Sequence, residues 1–159
     1  MDIANSTDDN IPYDNILRSL LSYHWKFCFI DLYRCQERLL KLAWVEEFKQ
    51  SMNSSLALSE LHGKMSERYM QPRERDNMQY LYGLLPQHIL AILTKSDTSS
   101  SKADYVYDLR NKIVHFQKTE VEVDSISESD WNMIIRFVLE TIPFLYGNFS
   151  HHIIELPDL

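Results

Sequence analysis

Residues 23–52 read YHWKFCFIDLYRCQERLLKLAWVEEFKQSM, with neither Gly nor Pro. Apolar positions Phe27, Ile30, Cys35, Leu39, Leu42 and Val45 recur at helical spacing. The pattern predicts one long helix from about Tyr23 to Met52. The run free of Gly and Pro extends from Tyr13 to His62. Ile16, Leu17, Leu20 and Leu21 predict a short helix ahead of the long one. Residues 1–11 read as a flexible N-terminal arm. Asn53-Ser54-Ser55 is a capping signal that restarts the chain.

Downstream, helices are expected over about Leu56–Met70 and from Pro72 to about Leu84, with Glu74 and Asp76 at the positive end of the latter. A short segment, Gln87–Leu93, follows Pro86. KSDTSSSK, residues 95–102, reads as a loop. The next helix is Asp104–Gln117, and residues 118–127 alternate as an extended segment does. A final helix begins near Ser129-Asp130 and points Trp131, Ile134, Ile135, Val138, Leu139 and Ile142 inward. Pro143 is a candidate kink and Gly147 a candidate stop. Residues 12–150 are therefore expected to form a single all-α domain, an up-and-down helical bundle of about five to six helices. Residues 151–159 are expected to form an irregular C-terminal tail.

The chain has 159 residues and is 45% apolar, enough for one domain with a real core. Three Gly and five Pro are too few for the turns of a β-sandwich or barrel. A net charge of −7 excludes a broad electropositive surface for duplex DNA but leaves room for a small basic cleft. Cys28 and Cys35 lie seven apart on one helix stripe, where a disulfide does not fit, so both are expected reduced and buried. The acidic start MDIANSTDDN is unlike a signal peptide. No apolar run of about 18 residues is present, so no membrane helix is expected. A cytoplasmic location fits these features.

YDLRNKIVHFQ, residues 107–117, has two non-bland faces. On a helical wheel Tyr105, Val106, Leu109, Ile113 and Phe116 share the core stripe. Asp104, Tyr107, Arg110, Asn111, Val114 and His115 share the opposite side. Outward Tyr107 and Val114 point to a second buried surface, for which a copy of the same helix across a two-fold axis is the simplest supplier. Another helix of the same bundle is the alternative. Positions five apart are rotated by roughly 140° and separated by about 7.5 Å along the axis, so Arg110 and His115 do not stack as neighbours. Two such helices brought together gather two Arg and two His around one cleft. Histidines there can take a 2′-hydroxyl proton and protonate a leaving 5′-oxygen. An Arg fork can stabilise the phosphorane.

Leu109-Arg110-Asn111-Lys112-Ile113-Val114-His115-Phe116 resembles the signature of the HEPN superfamily (higher eukaryotes and prokaryotes nucleotide-binding domains). That signature is an Arg, often followed by a polar residue, then four to six residues and a His, on a late helix of a small all-α bundle. The resemblance implies a metal-independent endoribonuclease that acts on RNA as a homodimer, in the manner of a toxin or antiviral defence effector. Arg110 and His115 would be its catalytic pair, Asn111 and Lys112 its supporting phosphate-binding residues, and Tyr107 and Val114 its dimer contacts. No cofactor is implied. The HEPN toxins controlled by nucleotidyltransferases carry a Tyr two residues after the His, where this chain has Gln117. A different inhibitory protein, or an activating one, is expected instead.

The rival reading is a non-catalytic helical module that uses the same face to dimerise or bind a protein partner. His24, His62, His88 and His151-His152 lack metal-ligand spacing, so no metal site is expected. RYMQPRERDNMQYLY, residues 68–82, reads as a helix start with solvated charges rather than as a base-stacking platform. Trp25, Trp44 and Trp131 read as core or interface aromatics.

Overall fold

The computed structural model describes residues 9–67, 73–94, 101–115 and 123–155. Among them are seven helices and no strand. These are α1 (Tyr13–Leu20), α2 (Trp25–Ser51), α3 (Leu58–Glu67), α4 (Glu74–Gly83), α5 (Gln87–Leu90), α6 (Lys102–Val114) and α7 (Glu128–Glu155). The protein is an all-α helical bundle, as the spacing of its apolar residues requires.

The 27-residue α2 is about 40 Å long and is the hub. It buries Phe29, Leu32, Tyr33, Leu39, Leu42, Ala43 and Val45. Its main partner is the 28-residue α7, which buries Trp131, Ile134, Ile135, Val138 and Ile142. α1, α3, α4 and α6 pack around α2, and α5 packs on α7. Four polar side chains lie in this core, Ser19, Gln36, Asn77 and Thr141. Gln36 of α2 donates to the Val138 carbonyl at 3.5 Å and to the Thr141 hydroxyl, and it accepts from the Tyr82 hydroxyl at 3.1 Å. The Tyr146 hydroxyl donates to the Cys35 carbonyl at 2.8 Å, a second tie between α7 and α2.

Local chemistry sets the helix ends. Asn53 closes α2 in the left-handed region at φ 46°, a conformation Asn tolerates better than most residues. It therefore ends α2 rather than opening α3, which starts later, at Leu58. α6 starts at Lys102, ahead of the expected Asp104, because Ser101 and Asp104 form a capping box. α7 starts at Glu128, with the Ser127 hydroxyl accepting from the Asp130 amide at 3.2 Å.

Two boundaries differ from those the sequence suggests. α7 passes Pro143 and Gly147 and continues to Glu155, so residues 151–155 are helix and not irregular tail. Tyr146, Phe149 and Ile153 are buried at helical spacing, and that burial outweighs the local stop signals. At the other end Ile11 is buried in the core, so the last residue of the expected arm is anchored. Residues 1–8, 68–72, 95–100, 116–122 and 156–159 lie outside the described residues, and with them the end of the expected third helix, Pro72, most of the expected loop, Phe116 and Gln117. Of the extended segment expected over 118–127, the described part is instead a short helical turn at Val123 and Asp124, closed by the Ile126 amide on the Val123 carbonyl at 3.3 Å.

Both cysteines are free and buried. Burial, followed by the nearby Asp31 charge, pushes the Cys35 thiol up to about 11 and raises Cys28 as well. At neutral pH both are thiols and poor nucleophiles. No helix among the described residues is long and apolar enough to cross a membrane.

Candidate functional site

α6 lays Ala103, Val106 and Leu109 in the core, with Tyr105 and Ile113 packed against it. This is the expected stripe. The opposite side divides into two clusters, each closed by charges from other helices of the same chain.

The first cluster surrounds the N-terminal half of α6. Arg75, from α4, bonds Asp104 at 2.8 Å and both oxygens of Asp108 at 3.0 Å. Its guanidinium also lies over the Tyr107 ring, 5.6 Å from the centroid. Gln79 adds a bond to Asp104 at 3.0 Å. The Ser101 hydroxyl, then Gln79 and Arg75, hold the Asp104 carboxyl below its usual range. Tyr107, expected to face a second copy, is thus half-buried under an arginine of its own chain.

The second cluster is built on Arg110, whose side chain is 19% exposed. Its guanidinium donates to Glu37 of α2 at 3.1 Å and to Asn111 Oδ1 at 2.9 Å. It lies 3.8 Å from Glu74 of α4 and 5.6 Å from the centre of the Tyr33 ring. The Tyr33 hydroxyl donates to Glu74 at 2.9 Å. Burial, then the Glu74 carboxylate, raises the Tyr33 phenol far above its ordinary range, so it stays protonated and keeps donating. Burial disfavours the Arg110 cation, but the Glu37 hydrogen bond and the Glu74 charge more than compensate, and its pKa is raised.

His115 ends α6 as its C-cap, with its backbone N–H on the Asn111 carbonyl at 3.0 Å, and its side chain is exposed. Val114 beside it is 41% exposed. The Asn111 side chain turns to Arg110 rather than to the His115 ring. Lys112 is half-buried and has a partner within the chain. The helix thus presents one immobilised cation and, five residues further on, one outward imidazole.

Sequence reasoning missed Glu37, Tyr33, Glu74 and Arg75 as partners of this helix. One signal was present: Tyr33 and Glu37 are four apart on α2 and so share a face. Nothing in the spacing of Glu74 or Arg75 names α6 as their target. Among the remaining histidines, His24 accepts from the Lys26 amide as the α2 cap, and His152 faces Glu46 at 3.9 Å. Among the described residues no three His, Cys, Asp or Glu side chains group to hold a metal ion. No protein family, curated protein or solved structure matches this chain.

Proposed function

We propose that this chain is a metal-independent endoribonuclease of the HEPN type, working as a homodimer and serving as a toxin or antiviral effector. The observation that carries the reading is the pairing, on one late helix of an all-α bundle, of a fixed guanidinium with an exposed imidazole. Glu37, Glu74 and Asn111 pre-organise the Arg110 fork, so no side-chain freedom is lost when it meets a phosphate. The contact to Glu74 is the longer of the two.

In this reading His115 removes the 2′-hydroxyl proton and the 2′-oxygen attacks phosphorus. Arg110 stabilises the charge gathered on the phosphorane. The same histidine of a second copy gives its proton to the departing 5′-oxygen, and a 2′,3′-cyclic phosphate remains. Asn111 and Lys112 support the phosphate.

One observation favours the rival, a non-catalytic helical module: Arg110 is already engaged by two carboxylates of its own chain. Cleavage of single-stranded RNA by the purified protein separates the two. The nuclease reading expects cyclic-phosphate ends and a loss of about 10²–10⁴-fold in His115→Ala. Equal cleavage by wild type and His115→Ala, or none by either, leaves the module.

A further inference from the structure

Among the described residues, the outward face of α6 offers little apolar area for a dimer. Its one large exposed apolar residue among those described is Val114, whereas a standard interface takes about 800 Å² from each side. The area lies elsewhere. Leu17, Leu20 and Leu21 on the last turn of α1, Tyr23 in the connection, and Trp25 and Phe27 on the first turn of α2 are all exposed. Leu21 is 85% exposed and Phe27 65%. Together the six expose about four residues' worth of surface. At about 200 Å² for a large apolar residue this is on the order of 800 Å². Monomeric proteins rarely leave a patch above a few hundred Å² uncovered.

We infer that this α1–α2 collar is the surface on which a second copy of the chain docks. The summed exposed area is of the order that one side of a stable two-fold interface takes. The flanks carry both signs, with Asp14 and Arg18 on α1 and, on α2, Asp31 and Arg34, which pair with each other at 3.2 Å; the last three border one open groove. A two-fold axis can set each sign against the other, as an isologous interface requires. A lipid surface fits less well, because membrane-lying helices carry an excess of cations and this chain carries net −7. The inference rests on the homodimer reading above but places the contact on α1–α2 instead of on Tyr107 and Val114. Lys26, at the start of α2, pairs with Asp124, shortly before α7.

The test is the solution mass of wild type, Leu21→Glu/Phe27→Glu and Val114→Glu by light scattering, with circular dichroism to confirm folding. The inference expects a wild-type dimer, a folded collar monomer and a Val114→Glu dimer. A wild-type monomer overturns it, whether inert or bound to zwitterionic vesicles. So does a dimer that survives both collar charges. Should the double variant misfold, Tyr23→Glu in the connection gives the same reading, because that side chain is fully exposed. RNA cleavage by wild type is scored separately: a collar dimer without cleavage keeps the interface and discards the nuclease, and a cleaving monomer does the reverse.

Discussion

On the outward face of α6, Asp104, Asp108 and Arg110 each meet an opposite charge from the same chain. At the α1–α2 collar, six apolar side chains remain in solvent. The first surface is closed and the second is open. A face rich in charge motifs attracts functional readings, yet most of its polar capacity here is spent on joining α6 to α2 and α4. A face without any motif carries the larger exposed apolar area among the described residues. Exposure and partnering, rather than residue type, distinguish a holding surface from a docking one.

The sharpest way to break the contrast is Arg110→Ala. If Arg110 joins three helices, its loss strands Glu37 and Glu74 beside each other and lowers stability by about 2 kcal/mol, since hydrogen bonds to charged groups contribute about 1.5–3 kcal/mol and partial exposure screens them. Adding Glu37→Gln and Glu74→Gln should then recover part of the loss in denaturant titrations. An unchanged midpoint for Arg110→Ala would mean that the cluster is surface decoration.

Asp104→Asn weakens the cap and the Arg75 clamp together, and about 1 kcal/mol is expected at pH 7. The sign with pH follows from its lowered folded pKa. The contribution is complete above the ordinary carboxyl value of 3.8 and is lost as pH falls through the lower folded value. Melting temperatures of wild type and Asp104→Asn should therefore converge below about pH 3.8. A gap that persists at lower pH would assign the effect to something other than the carboxylate charge.

The smallest effect is expected for Val114→Glu, whose side chain is 41% exposed. Its stability in denaturant titrations should stay within the roughly 0.5 kcal/mol typical of surface changes. A larger loss would show that the end of α6 packs more tightly than its exposure indicates.

Much of the fold is legible in the sequence. The apolar spacing of residues 27–45 and 131–142 places α2 and α7 and selects their buried faces, because burial of one stripe decides both. The end of α7 is not legible. Asn148, Ser150, His151 and His152 favour stopping locally, and only the core waiting for Phe149 and Ile153 carries the helix on. In the candidate site, periodicity places Arg110, Val114 and His115 outward on one helix. It is silent on Glu37 and Glu74, because ion-pair partners 73 and 36 positions away leave no periodic trace. The collar is hidden by its own composition: leucines at 17, 20 and 21 look like core until the structure shows that Ile16 and Ser19 are the α1 residues that turn in.

Gln36 carries a consequence for how the two longest helices find each other. Its amide is fully buried and reaches Val138, Thr141 and Tyr82 at one position only. Leucine-rich stripes tolerate sliding, since one turn of about 5.4 Å replaces apolar contact with apolar contact. With Gln36 in the stripe, a one-turn slip leaves an amide unbonded among aliphatic side chains, at about 1–3 kcal/mol. The residue that looks least suited to the core is the one that fixes the register of α2 against α7, and through Tyr82 it indexes α4, the helix that delivers Glu74 and Arg75 to α6.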